Sequence, residues 1–289
     1  MPNLKDIRRR IASVRSTQKI TRAMKMVAGA RLRRAQQNIE QLRPYARRTM
    51  EVLSAVAGRT EQADHPLLAR REPPAKVLLV VLTSDRGLCG GFNSNINRTA
   101  EQEAKARASA NCEVVLDVIG RKGRDYLRRR PVKIRRVLTG VFEKLDYAKA
   151  AEIGRSIVRE YTAGGFDAVF LIYNEFKSVM TQRVVVEQLL PIRPEDTAGD
   201  RQAGEFIFEP NKQALLDRLP QMYVELEVYR ALLESVASEF GARMTAMDNA
   251  TNNAEDMIST LTLQANRARQ AGITKELLEV MAGAAGLMK

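Results

Sequence analysis

The chain has 289 residues, a formal net charge of +13, 5% aromatics, no Trp, one His and two Cys. A single histidine leaves no Ser/His/Asp set, and Cys89 and Cys112 cannot supply a metal site by themselves. The chain begins with charge from Lys5 onward, without the apolar core of a secretory signal, and holds no run of about 18 apolar residues that could span a bilayer. The reading is of a soluble chain made in the cytosol, with both thiols buried and reduced, no metal and no cofactor.

The charge is unevenly placed. Residues 1–50 carry fourteen Lys and Arg against Asp6 and Glu40, a net of +12, whereas residues 211–289 carry eight against ten acidic residues. Basicity therefore belongs to the N-terminal segment, and it bears on a nucleic-acid reading.

From Asn3, a fitting N-cap, to about Gly58 the pattern is helical, with Asp6 in the first turn. Leu4, Ile7, Ile11 and Val14 open a seam of three- and four-residue spacing that resumes in phase at Ala28, Leu32, Ala35, Ile39, Leu42, Ala46, Leu53 and Val56. Between them the in-phase positions hold Gln18, Thr21 and Lys25, and the apolar stripe of Ile20, Met24 and Val27 runs one position off. The spacing predicts a seam that slips there and meets different neighbours above and below. Pro44 is expected to kink the helix near Arg43 without ending it. Thr60 to Pro74 reads as a linker.

Residues 75–209 change period. Lys76–Thr83 is a short β-branched apolar run, as in a strand buried on both faces, followed by a glycine-rich turn and a helix from about Asn93 to Ala108. Strands at Val114–Ile119, Val132–Leu138 and Ala168–Tyr173 alternate with helices at Lys122–Arg129 and Tyr147–Thr162, which predicts a parallel βαβ sheet. Gln182–Leu189 and Glu205–Phe208 add strands without a helix between them, an antiparallel edge.

The turn Ser84-Asp85-Arg86-Gly87-Leu88-Cys89-Gly90-Gly91-Phe92-Asn93 stands where phosphates often sit. It matches neither the G-x-G-x-x-G fingerprint nor a P-loop. Gly87, Gly90 and Gly91 are instead expected to serve a tight turn and close helix-sheet packing, and Cys89 has no basic partner in sequence to make it a catalytic thiol.

Gln221 to Lys289 runs 69 residues without proline. As one helix it would reach roughly 100 Å, too long for any compact core. Its apolar residues at Met222, Leu226, Tyr229, Leu233, Val236 and Phe240, then Met244, Met247, Thr251, Ala254, Ile258, Leu261, Ala265 and Ala268, mark one narrow coiled-coil seam. Two consecutive spacings of four across Val236, Phe240 and Met244 form a stutter. One long basic helix and one slightly acidic one are natural antiparallel partners. The fold class is α/β plus coiled coil, with helices at 1–58 and 211–289 and a Rossmann-like domain at 75–209 between them.

Three motifs in order carry a resemblance across essentially the whole chain: Ile11-Ala12-Ser13-Val14 through Thr17-Gln18-Lys19-Ile20-Thr21 to Ala23-Met24-Lys25-Met26-Val27; the run TSDRGLCGGFN at 83–93; and Arg269-Gln270-Ala271 with Ile273-Thr274-Lys275-Glu276 through Gly283-Ala284. They resemble the γ subunits of bacterial F-type ATP synthases. Gly286 departs from the family, which usually has another residue there.

The resemblance implies a noncatalytic, proton-driven rotor shaft. It would turn inside a hexamer of α and β subunits, with the α/β domain near ε and the ring of c subunits, peripheral to the cytoplasmic face of the cell membrane and reaching the membrane only through that ring. It implies contacts with β at Met24, Arg243, Arg269, Gln270, Thr274 and Glu276, and a foot on the c-ring at Phe206 and Glu209. The competing readings are a coiled-coil nucleic-acid arm on a Rossmann-like domain and a free nucleotide-binding enzyme. Against the first, the N-terminal arginines lie on several helix faces without stacking aromatics.

Overall fold

The computed structural model describes residues 4–57, 65–69, 73–143, 145–193 and 212–287. Among them the elements are, in chain order, α1 (Leu4–Ala57), β1 (Lys76–Leu82), α2 (Phe92–Ser109), β2 (Glu113–Ile119), α3 (Arg121–Leu127), β3 (Lys133–Leu138), α4 (Tyr147–Thr162), β4 (Ala168–Phe176), β5 (Gln182–Leu190) and α5 (Lys212–Leu287). The expected cap Asn3, the expected strand Glu205–Phe208 and the foot residues Phe206 and Glu209 lie outside the described residues. The chain divides into two compact units, residues 29–243 and residues 1–28 with 244–289.

The first of these is built on a five-stranded sheet in the order β3-β2-β1-β4-β5. The first four strands run parallel and β5 runs antiparallel to β4, as the alternation of periods predicts. β1 is the central strand, and its residues from Val77 to Leu82 are buried. A strand covered on both faces has no polar side to present, so KVLLVVL reads as a continuous run rather than an alternation. Asp146 caps α4, its carboxylate accepting from the Lys149 amide at 2.8 Å, a bond worth about 1 kcal/mol to the helix.

Within this unit α5 departs from the narrow seam expected for it. Val224, Glu225, Leu226, Glu227 and Val228 are all buried, and five consecutive buried positions encircle a helix. One side packs on α1, where the Arg31 guanidinium lies 5.6 Å from the Phe240 ring centre. Another packs on β4, where Ser238 Oγ donates to the Asn174 carbonyl at 3.0 Å. A third meets α4 so closely that a Cβ on Gly154 would lie 3.0 Å from the Glu225 Cα. In this stretch α5 is a core helix. It begins at Lys212, within the expected segment 211–289, and runs through Pro220 as α1 runs through Pro44. A proline inside a helix removes one backbone hydrogen bond, which flanking packing can offset.

In the other unit the seam reading holds for α5. Met247, Thr251 and Ala254 are buried and Ile258, Leu261, Ala265 and Ala268 half-buried, the expected three-four spacing. The slip predicted in α1 does not occur. Thr21 is buried and Gln18 and Lys25 are half-buried, in phase with Ile7, Ile11 and Val14, whereas Ile20 and Val27 are 57% and 58% exposed. Polar pairs explain the continuity. Thr21 Oγ1 lies 2.8 Å from Thr251 Oγ1, and Lys25 Nζ donates to Asp248 Oδ1 at 2.5 Å. Rising numbers in α1 meet falling numbers in α5, so the two segments are antiparallel.

Candidate functional site

The glycine-rich turn is held by side chains of its own motif. Thr83 Oγ1 donates to the Ile119 carbonyl at 2.7 Å and accepts from the Gly123 amide at 2.9 Å, tying the end of β1 to β2 and α3. Asp85 is buried, and its carboxylate accepts from the Arg121 amide at 3.1 Å and the Gly140 amide at 2.9 Å. Asn93 Oδ1 accepts from the Ser84 amide at 3.0 Å, returning α2 to the start of the turn. Each of these groups is spent on the backbone of a neighbouring segment, so the turn is a clasp among β1, α2, α3 and the loop after β3.

Its glycines differ from one another in conformation and surroundings. Gly90 has φ +54°, in the left-handed region that disfavours side chains, as does Leu88 at φ 61°. At Gly87 an added Cβ would meet nothing nearer than the flexible end of Lys122, at 3.6 Å, and Gly91 has an ordinary φ of −80°. The close approach between helix and sheet belongs to Gly120 and Gly123, which the sequence reading missed. A Cβ on Gly120 would lie 2.1 Å from the Thr83 carbonyl oxygen, and one on Gly123 would lie 2.6 Å from Thr83 Oγ1.

Arg243, expected as a contact with another subunit, closes this clasp from α5. Its Nη2 donates to the Gly87 carbonyl at 3.1 Å and to Glu239 Oε1 at 2.6 Å, and the guanidinium lies 5.3 Å from the Phe240 ring centre. The Arg243 side chain is 10% exposed. A cation so engaged has little left to offer a partner. Burial raises the Glu239 carboxyl above its usual range and Arg243 pulls it back down. Burial likewise pushes the Cys89 thiol up, against the attraction of Arg243, which suits a structural thiol and not a nucleophile. Cys112, expected to be buried, is half-buried.

The remaining predicted contacts with β lie in the other unit. Met24 is half-buried, and Arg269, Gln270, Thr274 and Glu276 are exposed on α5. Helical spacing puts Arg269 and Glu276 on one face and Gln270 and Thr274 on a neighbouring one. Thr274 Oγ1 donates to the Gln270 carbonyl at 3.0 Å, an intrahelical bond that leaves the hydroxyl's lone pairs outward. Around them large apolar side chains face outward: Ile20, Met26 and Val27 on α1, and Met257, Leu263, Ile273, Leu277, Leu278, Val280 and Met281 on α5. Apolar exposure concentrated on two helices is the mark of an interaction surface.

A second ionic group, half-buried, was not foreseen. Arg230 of α5 donates to both oxygens of Glu187 on β5 at 2.7 Å, to Glu227 at 2.6 Å and to Glu234 at 3.2 Å, and Tyr173 donates to Glu187 at 2.6 Å. Burial raises Glu227 and Glu234, with Arg230 opposing, and raises Tyr173. The signal in the sequence was the run of glutamates interrupting the apolar pattern of α5. Among the described residues no cluster of His, Cys, Asp and Glu could hold a metal ion. No helix among them is long and apolar enough to cross a membrane.

A family profile for ATP synthase matches residues 3–287. The ATP synthase gamma chain of Sorangium cellulosum is 51% identical, with 99% of each chain covered. The central stalk and c-ring structure of the Tetrahymena thermophila mitochondrial ATP synthase contains a chain 29% identical, covering 80% of this chain and 99% of its own, at a TM-score of 0.61. A chain of the Euglena gracilis mitochondrial ATP synthase, 20% identical at a TM-score of 0.70 over 98% of this chain, shares the fold. With so much of its length matched and half its positions shared with a curated relative, the chain is a member of the ATP synthase gamma chain family.

Proposed function

We propose that this chain is the central rotor shaft of a proton-translocating F-type ATP synthase, coupling rotation of a membrane ring of c subunits to the conformational cycle of catalytic β subunits. The observation that carries it is the identity over nearly full length, together with two helices whose outward faces hold both large apolar residues and the motif residues. A shaft needs such faces, since it must touch several subunits in turn without catalysing anything itself. The chain is a noncatalytic subunit, and phosphoryl transfer belongs to β.

In this reading Met24, Arg269, Gln270, Thr274 and Glu276 meet loops of β, where charge-assisted bonds form and break with angle. A β contact by Arg243 in this reading requires its guanidinium to leave both Glu239 and Gly87, its partners in the clasp. Phe206 and Glu209 are the proposed foot on the c-ring. The segments 1–58 and 211–289 form the shaft, and 75–209 the domain beside ε and the ring. The complex sits at the cytoplasmic face of the membrane, with this chain peripheral.

The test is to express the chain with α and β subunits and measure co-purification, then single-site and multisite ATP hydrolysis. Arg269→Ala should weaken coupling or assembly by one charge-assisted bond, of order 1.5–3 kcal/mol, and leave single-site hydrolysis intact. Loss of single-site hydrolysis in an intact complex would place Arg269 in the chemistry and overturn the shaft. Salt-sensitive binding to DNA or RNA in place of co-purification would favour the nucleic-acid arm.

A further inference from the structure

Beside the outer strand β3, α4 closes a cavity of about 310 Å³ whose lining includes Arg136, Lys149, Glu152, Arg155, Ser156 and Arg159. Four cations face one carboxylate there. Lys149, Glu152, Ser156 and Arg159 recur at spacings of three and four, which makes them one stripe along α4. Arg136 enters from β3. It is anchored from behind, Nη2 donating to Asp117 Oδ2 at 3.0 Å and Nη1 to Ser156 Oγ at 2.9 Å. Arg155 lies 3.6 Å from Glu225.

Two observations mark the lining as short of negative charge. Arg136 Nε is buried and has no hydrogen-bond acceptor among the described residues. An unmet buried donor is costly, and it belongs to a charged group. Lys149 and Arg159, meanwhile, have no carboxylate within ion-pair distance among the described residues. Like charges held around one cavity repel, and a ligand of opposite sign is attracted to them.

The spacing of the cations selects the anion. Lys149 and Arg159 are ten residues apart on one helix, which at about 1.5 Å per residue is roughly 15 Å. A single phosphate covers little of such a stripe, whereas a chain of two or three phosphoryl groups covers more of it, and the long Lys149 and Arg159 side chains close the remaining distance. Arginine supplies planar pairs of donors matched to phosphate oxygens, and Arg136, Arg155 and Arg159 line the cavity. We propose that this cavity binds a di- or triphosphate group, either free or as the tail of a nucleotide. The site differs from the glycine-rich turn, and it lies at the outer strand β3, away from the β1/β4 switch point where open α/β sheets usually bind ligands. It binds without hydrolysis, and its existence does not depend on the rotor reading.

The experiment is calorimetric titration of the full chain with pyrophosphate at low ionic strength. Saturable single-site binding is expected. Arg159→Ala and Lys149→Ala should each weaken it by about tenfold or more, the loss of one charge-assisted bond. Arg128→Ala and Arg129→Ala, which remove exposed cations of the same region outside the cavity, should leave affinity within about twofold, the scale of a lost exposed charge. Circular dichroism would verify folding; none of these four side chains is buried. Displacement of pyrophosphate by ATP would identify the nucleotide tail as a ligand, and failure to displace it would assign the site to free pyrophosphate. Absence of saturable binding, equal loss in the Arg128 and Arg129 variants, or equal affinity for orthophosphate would overturn the proposal.

Discussion

The Arg243 guanidinium donates to the Gly87 carbonyl at 3.1 Å, so a side chain from the long C-terminal helix closes the glycine-rich turn 156 residues earlier in the chain. The same nitrogen binds Glu239 at 2.6 Å, one helical turn away, and both side chains are nearly excluded from solvent. Removing the cation would leave a buried carboxylate without its hydrogen-bonded counter-ion. Arg243→Ala should therefore destabilise residues 29–243 by about 3 kcal/mol or more, as removal of one partner from a buried pair does. Replacing both residues by Met should recover most of that loss. The check is urea denaturation of the single and double variants; a stable Arg243→Ala chain that fails only in coupling would return Arg243 to the role of a subunit contact.

The sheet was legible in the sequence because its strands are short runs with a period unlike that of the helices. β1 is the clearest case, since burial on both faces leaves no polar position to blur it. What the sequence did not show were partners. Thr21 and Lys25 look like failures of an apolar seam until Thr251 and Asp248 stand opposite them. Glu225, Glu227, Glu239 and Arg243 look like solvated positions until α5 is packed on several sides. The motif 83–93 announced a turn, but the reason for its composition lies in Gly120, Gly123 and Gly140, which no local pattern connects to it.

Gly90 in the turn and the hidden Gly120 after β2 should respond differently to alanine. Gly90 has a left-handed backbone but open space around it, so Gly90→Ala should cost about 1–2 kcal/mol for the conformation alone. Gly120 combines φ +97° with a Cβ position 2.1 Å from the Thr83 carbonyl oxygen. Its alanine variant must move β1 or the loop and should fail to give a folded domain. Thermal melting of both variants separates the two cases, and equal effects would contradict the packing described.

Glu234 gives a pH dependence of known sign. Burial raises its folded-state pKa above the ordinary 4.5, against the pull of Arg230, and its Oε2 is buried without a partner. Stability from a raised carboxyl is fully present below the unfolded pKa and is lost as pH climbs through the folded one. The stability of Glu234→Gln relative to the unmodified chain should therefore increase as pH rises above about 4.5. Denaturant midpoints measured across that range would check it; a difference that shrinks with rising pH would contradict the assignment.

In the unit of residues 1–28 and 244–289, the polar pairs set alignment more than stability. Lys25 and Asp248 have side chains 39% and 43% exposed, so solvent screens their attraction. Lys25→Ala should cost no more than about 1 kcal/mol and less at high salt. Thr21→Val alone would leave the buried Thr251 hydroxyl without its neighbour, although it still donates to the Met247 carbonyl at 2.7 Å. The double change to Val at both positions should be close to neutral. Melting of the three variants in low and high salt tests the ranking.

The central claim is that this chain turns as a shaft while others do the chemistry. The most direct measurement is single-molecule observation of a probe on Ser109, at the exposed end of α2, in a complex of this chain with α and β subunits fixed to a surface. With ATP supplied, the probe should rotate continuously in one direction, and it should stop when hydrolysis in β is blocked. ATP hydrolysis by an intact complex while the probe stays fixed relative to α and β would contradict the account.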